Sequence, residues 1–441
     1  MNPPTLLSGW GNYPRIEVRQ LTPPDRAAAI AALTSEPGLI PRGNGRAYGD
    51  AALNPLATLS MLHARRVLEF DPTAGRATVE AGLLLGDLIT HILPHGWFVP
   101  VTPGTKFVTV GGAIAADVHG KNHHVASSFA AHVEALELAL PNGRILTCSP
   151  TEHPDIFAAT CGGMGLTGGI LSATLRLLPV ETALIRQETR RCANLAEAMA
   201  AFEAARDWTY SVAWIDCLAR GAALGRSLLF LGEHARRAEV PPEQAALAPP
   251  QRRALRIPIN FPSWALNRWS VTAFNELYWR RAKPGSTLVN YDTYFYPLDA
   301  VLEWNRIYGR PGFVQYQCVL PKSASKPGLT ALLTRISGAG AGSFLSVLKL
   351  FGAQPGILSF PMEGFTLALD FPANPTTFAL LTELDAIVAD HGGRLYLAKD
   401  SRMGAALFRG SYPNLEAFQS LRTTLDPTGR FWSVQSRRLG I

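Results

Sequence analysis

The side chains best suited to chemistry are concentrated in GGAIAADVHGKNHH, residues 111–124. The last six positions carry, around one glycine, His119, Lys121, Asn122, His123 and His124. A tetrahedral metal site needs a fourth ligand, and the one carboxylate at hand is Asp117, so we expect no metal. The small residues after the glycine pair instead favour a backbone that lies flat against a ligand. His119 and Lys121, two apart on an extended chain, would face the same side.

A second glycine-rich stretch, PRGNGRAYGD, covers residues 41–50. Glycines at 43, 45 and 49 would let backbone N–H groups approach a ligand closely, and Arg42 and Arg46 add positive charge. Together they suit a pyrophosphate, although a plain surface turn is the alternative. The spacing is not that of the dinucleotide-binding GxGxxG.

A third stretch, CGGMGLTGG (161–169), does match GxGxxG through Gly163, Gly165 and Gly168. The dinucleotide motif requires a strand before the glycines and a helix after them. Here a helix-like segment precedes the glycines and a strand follows. We therefore interpret this match as a false positive for a nucleotide fold.

The length of 441 residues predicts two or three domains. No apolar run reaches the roughly 18 residues that span a bilayer, and the N-terminus lacks the pattern of a secretory signal. The expected compartment is the cytoplasm. Five scattered cysteines argue against a disulfide framework.

Positive charge is concentrated between residues 236 and 283. This span holds nine Lys and Arg against three acidic residues, so it carries six of the seven net charges, and it includes Trp264, Trp269 and Trp279. Basic residues mixed with tryptophan suit a membrane surface or an anionic ligand. A solvated basic face is the alternative. We expect no nucleic acid, because no nucleic-acid motif accompanies the charge.

Hydrophobic periodicity predicts an α+β protein. Up to about residue 180 it indicates short strands and helices, with a hairpin over 132–150 that turns at Asn142-Gly143. Residues 183–393 are richer in aromatics. They include strand-like runs at 227–232, 312–320, 344–352 and 365–372, then a helix at 376–393.

The three glycine-rich stretches, in this order, resemble flavoproteins of the vanillyl-alcohol oxidase superfamily. HGKNHH and AKDSR (398–402) narrow the resemblance to the branch that oxidises a polyprenylphosphoryl-ribose. It implies a two-domain fold: an FAD-binding domain over 1–182 with a returning tail 394–441, and an inserted antiparallel-sheet substrate domain over 183–393.

The resemblance also implies residue roles. The FAD would be held by Arg42, Gly43, Asn44, Gly45, Arg46, Ala47, Tyr48, Gly49, Asp50, Gly104, Thr109, Val110, Gly111, Gly112, His119, Gly120, Lys121, Asn122, Ile170 and Tyr396. Many superfamily members bind the flavin covalently through a histidine in a Gly-His-Ser turn. Here the turn reads Gly45-Arg46-Ala47, so we expect non-covalent FAD.

Oxidising a secondary alcohol requires a base for the hydroxyl proton. Lys399 is the first candidate and Tyr48 the second, with His119 and Lys121 bordering the reaction chamber. An ion pair with Asp400 is the structural alternative for Lys399. Gln317 and Lys349 are candidates for holding the sugar or phosphate.

The resemblance implies oxidation of the 2′-hydroxyl of a lipid-linked ribose to a 2′-keto sugar, the first half of epimerisation to the arabinose form. A separate NADH-dependent short-chain reductase would complete the epimerisation. Peripheral contact with the inner membrane would use residues 236–283. The alternative is a soluble alditol oxidase of the same superfamily.

Overall fold

The computed structural model describes residues 4–242, 245–250, 254–262 and 266–441. The strands of the N-terminal region are β1 (Thr5–Ser8), β2 (Arg15–Val18), β3 (Gln20–Leu21), β4 (Ile40–Arg42), β5 (Thr58–Ser60), β6 (Val67–Asp71), β7 (Arg76–Glu80), β8 (Trp97–Phe98), β9 (Val133–Ala139), β10 (Ile145–Cys148), β11 (Gly169–Arg176) and β12 (Leu178–Pro179). Its helices are α1 (Arg26–Ser35), α2 (Leu85–Ile92), α3 (Val110–Ala115), α4 (His123–Ala126) and α5 (Pro154–Thr160).

The N-terminal strands form small sheets. The largest is antiparallel, in the order β10-β9-β11-β7-β6, and β3-β5-β4 form a parallel sheet. The predicted hairpin is β9–β10, and Gly143 in its turn has a φ of 84°, a conformation that glycine adopts without strain. Alternating residues of β9, such as Leu136 and Leu138, are buried in the core beneath this sheet.

The remaining strands are β13 (Leu184–Cys192), β14 (Tyr210–Ile215), β15 (Ser227–His234), β16 (Leu255–Arg256), β17 (Gly285–Asn290), β18 (Val301–Leu302), β19 (Phe313–Pro321), β20 (Ser346–Phe351), β21 (Gly364–Pro372) and β22 (Arg394–Leu395). The remaining helices are α6 (Leu195–Ala204), α7 (Arg268–Arg281), α8 (Tyr291–Phe295), α9 (Lys322–Ala339), α10 (Pro375–Asp390), α11 (Ala405–Ser411), α12 (Leu415–Leu425) and α13 (Val434–Leu439). Single 3₁₀ turns occur at Leu93–His95, Phe129–His132, Gly221–Ala223, Arg237–Glu239, Pro297–Ala300 and Trp304–Tyr308.

Eight of these strands form one sheet in the order β17-β13-β15-β14-β20-β21-β19-β22. Side chains alternate between its two faces. One face is apolar and is covered by α6, α9 and α10, with Cys318, Leu348 and Leu367 in the core. The opposite face therefore carries the polar residues of β19 and β20, including Gln317 and Lys349.

The C-terminal tail packs on the N-terminal region. Phe431 forms a parallel bridge with Leu39, and the Trp432 N–H donates to the Leu39 carbonyl at 3.0 Å. The Arg438 guanidinium donates to the carboxylates of Asp50 and Asp400 at 2.8 and 2.9 Å. The first residues of the tail instead form β22, at the edge of the large sheet. The domain boundaries given above remain a prediction.

Candidate active site

A cavity lies between the N-terminal glycine loops and the polar face of the large sheet. Of the residues predicted to form the site, its lining includes residues 42–48, Gly104, Thr109, Gly111, Gly112, His119, Ile170, Gln317, Lys349, Tyr396 and Lys399. Positions that are far apart in the sequence therefore share one chamber. Within the described part of the chain, no group of three or more His, Cys, Asp or Glu could hold a metal ion.

The first loop follows β4, and its own side chains hold it in place by hydrogen bonds to neighbouring segments. The Arg42 guanidinium donates to the Ser8 carbonyl at 2.7 Å, and the Asn44 amide donates to the Phe107 carbonyl at 2.8 Å. The backbone N–H groups of residues 43–47 donate to no acceptor in the described chain. Such a row of free donors suits an anionic group such as a pyrophosphate.

The second loop contacts the first at Gly43, where a Cβ would lie 2.2 Å from the Thr109 hydroxyl oxygen. Thr109 caps α3 by accepting from the Gly112 N–H at 3.2 Å. The N–H groups of Val110 and Gly111 are already used, since they donate to the carbonyls of Leu83 and Ala81. A Cβ on Gly104 would meet nothing within 4 Å, so this glycine keeps part of the cavity open.

His119 connects the third predicted segment to the sheet. The Gln317 amide nitrogen lies 3.0 Å from His119 Nε2 and also donates to the Thr366 hydroxyl. Burial, with Lys349 near by, holds the pKa of His119 well below its usual range, so the imidazole is neutral. Nε2 then accepts from the amide, and the proton is on Nδ1, a buried atom without a partner in the described chain.

Two lysines line the cavity without forming a salt bridge among the described residues, Lys349 on β20 and Lys399 after β22. The predicted alternative for Lys399, an ion pair with Asp400, is wrong, because Arg438 holds Asp400. The Lys399 ammonium instead lies 3.7 Å from the centroid of the Tyr48 ring.

Burial sets the charge of both lysines. It lowers the pKa of Lys399 to about 7 and that of Lys349 to about 8, because the charged forms lose hydration. Asp370 partly opposes the shift at Lys399. A substantial fraction of Lys399 is therefore a free amine at neutral pH and can accept a proton. Tyr48 is less suited to be the base at this pH, since burial raises the pKa of its phenol well above 10.

Six predicted residues do not line the cavity: Gly49, Asp50, Val110, Gly120, Lys121 and Asn122. Asp50 pairs with Arg438, and the Asn122 amide donates to the Pro100 carbonyl. Lys121 lies 4.3 Å above the Tyr294 ring and donates to the Tyr294 carbonyl, so it does not share a wall with His119. The roles given to these six residues stay predictions.

The cavity also has lining residues that the sequence does not single out. The Arg46 guanidinium lies 4.0 Å above the Trp10 ring, and Leu298, Asp299 and Trp304 lie beside it. The GxGxxG match contributes Gly165 and Gly168, although it is preceded by α5 and followed by β11 and is not a dinucleotide motif. No residue-type pattern marks Leu298 or Trp304, because only the fold brings them to this chamber.

The lining fits an FAD on three counts. The first loop offers unused N–H donors, Gly104 leaves space, and the buried His119 Nδ1 needs a partner. Residues 42–48, Gly104, Thr109 and Gly112 would hold the pyrophosphate side. His119, Ile170 and Tyr396 would lie at the isoalloxazine end.

Comparisons with known proteins agree with this assignment. A family model described as FAD binding domain matches residues 21–149, and one described as D-arabinono-1,4-lactone oxidase matches residues 365–439. Decaprenylphosphoryl-β-D-ribose oxidase of Mycolicibacterium smegmatis is 39% identical over 446 residues, covering 98% of this chain and 97% of that protein.

Two further relatives cover less of this chain. A Streptomyces coelicolor protein named only as uncharacterised is 39% identical over 374 residues, which is 81% of this chain and 100% of that protein. L-gulonolactone oxidase of Mus musculus is 34% identical over 139 residues, which is 31% of each chain.

Fold, cavity and similarity together define an FAD-dependent oxidoreductase with the α+β fold of the vanillyl-alcohol oxidase type. Within that class, the chain belongs to the family of decaprenylphosphoryl-β-D-ribose oxidase.

Replacing Gly104 by valine should lower FAD content several-fold without lowering the melting temperature of the FAD-free protein. The added side chain would enter open cavity and meet no protein atom within 4 Å at its Cβ. FAD is measured in the supernatant after acid precipitation, where all of it should appear because no residue of the Gly45-Arg46-Ala47 turn can bind it covalently.

The matched control is Gly404→Val, at a glycine that is also exposed but does not line the cavity, where a Cβ likewise meets nothing within 4 Å. Equal FAD content in both variants would contradict the placement of FAD at Gly104. Flavin that precipitates with the protein would contradict the non-covalent assignment.

Proposed function

We propose that this enzyme oxidises the 2′-hydroxyl of a polyprenylphosphoryl-β-D-ribose to the 2′-keto sugar. The observation that carries the proposal is the similarity to decaprenylphosphoryl-β-D-ribose oxidase over nearly the whole of both chains. It includes the cavity-forming strands as well as the FAD loops.

The chain's own residues suit this oxidation. FAD, when bound, supplies the acceptor for the hydride from the carbinol carbon. Lys399 takes the hydroxyl proton, because its free amine is present near neutral pH and the adjacent Asp400 is held by Arg438. If Lys399 is charged when the substrate arrives, it stabilises the developing alkoxide instead.

Lys349 and Gln317 are placed to hold the substrate. They lie on β20 and β19, the two strands that flank β21 in the sheet, and both line the cavity. The Lys349 ammonium suits the phosphate or a sugar oxygen, since it has no acidic partner in the described chain. Gln317 already donates to His119 and Thr366, so its amide oxygen is the group left to accept from a sugar hydroxyl.

An aromatic row links the cavity wall to helix α7. From Trp304 at the cavity, ring contacts of 4.4 to 6.0 Å lead through Phe313, Tyr308 and Phe344 to Phe274 on α7. Phe274 is 43% exposed at the surface. Phe313 and Tyr308 are buried, so the row is a packed aromatic core that supports α7 from the cavity wall.

Helix α7 suits a membrane surface because its polarity is reversed. Its inner side is anchored by polar contacts, with the Asn275 amide donating to Asp216 at 2.7 Å and Arg226 pairing with Glu276. Its exposed side carries Trp269, Phe274, Leu277 and Tyr278, and its last turn carries Arg280 and Arg281. An ordinary surface helix shows the opposite pattern. Basic residues around exposed aromatics bind anionic lipid headgroups.

We propose that this surface gives the enzyme its peripheral membrane contact, on the cytoplasmic side of the inner membrane. No helix of the described residues is long and apolar enough to cross a membrane. Residues 243–244, 251–253 and 263–265 of the predicted span, which include Arg252, Arg253 and Trp264, lie outside the described residues.

The product of this reaction is a ketone, so epimerisation needs a second enzyme. We propose an NADH-dependent short-chain reductase as the partner subunit that reduces it with inverted stereochemistry. A soluble alditol oxidase is the alternative function, and it would not require the exposed apolar side chains of α7.

The substrate prediction is tested by anaerobic mixing with a short-chain polyprenylphosphoryl-β-D-ribose while the oxidised-flavin band is recorded. We expect this substrate to bleach the band, and free ribitol and xylitol to leave it unchanged. Bleaching by the alditols alone would establish the alternative function.

The membrane prediction concerns the double variant Trp269→Ser, Leu277→Ser. Binding to vesicles that contain anionic phospholipid should fall roughly tenfold or more, since each buried apolar side chain contributes about 1.5–3 kcal/mol. Neutralising Arg256 with Arg252 and Arg253 should weaken binding most at low salt. Vesicle sedimentation measures both.

The matched control is Leu68→Ser on β6, which removes a leucine that is 45% exposed in the N-terminal region. Vesicle binding that is unchanged in the α7 variant, or reduced equally in the Leu68 variant, would exclude α7 as the contact surface.

A further inference from the structure

Asp370 is a buried carboxylate beneath the cavity that neither the FAD site nor the substrate site uses. It lies on β21 opposite Gln315 on β19, whose amide donates to Asp370 Oδ1 at 2.6 Å. Its backbone N–H donates to the Ser343 hydroxyl. The other carboxylate oxygen, Oδ2, is buried and has no partner in the described chain. A carboxylate kept in this state costs stability unless a nearby charge compensates.

The charge that can compensate is Lys399. Asp370 and Lys349 are the two charged residues that act on the Lys399 ammonium, and Tyr48 lies against it. Lys399 also acts on His119, which is neutral. Gln315, which donates to Asp370, lines the cavity together with Tyr48 and Lys399. The charge of Asp370 acts on Lys399 and on the phenols of Tyr48 and Tyr308. Asp370 is therefore the one carboxylate among the described residues that favours a positive Lys399.

We propose that Asp370, held by Gln315, is a positioning residue that supplies the counter-charge for the ammonium formed when Lys399 accepts the substrate proton. The inference rests on the proposed function. In this step the substrate O–H bond breaks and an N–H bond forms on Lys399. The carbinol C–H bond breaks, a C=O bond forms, and the hydrogen leaves as hydride, for which FAD, when bound, would be the acceptor and oxidant. No further co-reactant is needed.

The electrostatics of the pair agree with this role. Burial raises the pKa of Asp370 to about 7, and burial lowers that of Lys399 to about 7. Each charge offsets part of the burial cost of the other. Without the carboxylate, Lys399 would be a free amine over a wider pH range but would hold the transferred proton less well.

Asp370→Asn tests the proposal, because the asparagine carbonyl can still accept from Gln315 while the negative charge is lost. In the FAD-loaded protein, the pH dependence of Lys399 labelling by a small amine-reactive reagent is followed by mass spectrometry. The labelling midpoint should fall by about one pH unit, at the low end of the effect of a close opposite charge.

Lys349 in the same protein is the internal reference, since burial alone shifts its pKa, and its midpoint should stay in place. The acidic limb of the pH profile of kcat/KM should move to lower pH together with the labelling midpoint of Lys399, and kcat should fall. Glu383→Gln, which removes an exposed negative charge on α10, is the matched control and should change neither readout.

A Lys399 midpoint that stays in place or rises in Asp370→Asn overturns the proposal. If that variant does not fold, Gln315→Met removes the hydrogen bond to the carboxylate and should shift the midpoint in the same direction by less. No shift in that variant is the overturning result. Labelling needs no substrate, so a shifted midpoint with no oxidation of the lipid-linked sugar would contradict the proposed function and leave the pairing intact.

Discussion

The site depends on two lysine ammonium groups that face one cavity and form no salt bridge within the described chain. Such groups are costly to bury, and here burial lowers the pKa of Lys399 to about 7 and that of Lys349 to about 8. The proposed reaction uses both groups, because the flavin gains negative charge on reduction and the proposed substrate carries phosphate and loses a proton.

The scaffold maintains this state by giving the nearby acids other partners. Arg438 binds Asp50 behind the first loop and Asp400 beside Lys399, and the N–H groups of Arg402 and Met403 also donate to Asp400. Asp400 is thereby prevented from pairing with Lys399. The same guanidinium fixes the first glycine loop against the segment that carries the base. Breaking a buried arrangement of this kind costs about 3–5 kcal/mol, because it leaves carboxylates unpaired.

Much of the fold could be predicted from local sequence patterns. The glycine loops, the β9–β10 hairpin and the strands β19, β20 and β21 all have residues whose spacing matches their structure. Helix α9 could not be predicted in this way, because Pro327 and Gly328 lie inside it and both disfavour a helix. The structure explains the glycine, since a Cβ there would lie 2.7 Å from the Leu320 side chain and 3.1 Å from the His391 ring. Tertiary packing outweighs local propensity at this position.

Only part of the reaction chamber could be predicted, because tertiary structure also decides which residues line it. Chemically distinctive side chains such as His119 and Lys399 are visible in the sequence, whereas Trp10, Leu298 and Trp304 are apolar residues that only the fold brings to the cavity. The lack of an ion pair between Lys399 and Asp400 also depends on tertiary structure. It arises because Arg438, 39 positions further along the chain, pairs with the aspartate next to the lysine.

The most direct test of the central claim is the rate of flavin reduction by saturating lipid-linked ribose in Lys399→Met, measured by anaerobic stopped flow beside the exposed control Lys326→Met. If Lys399 is the base, the rate should fall by roughly 10²–10⁴-fold with FAD content unchanged, and Lys326→Met should match the unaltered protein. A rate within a few-fold of the unaltered protein would mean that the proton leaves by another route and that the unpaired lysine is not the base.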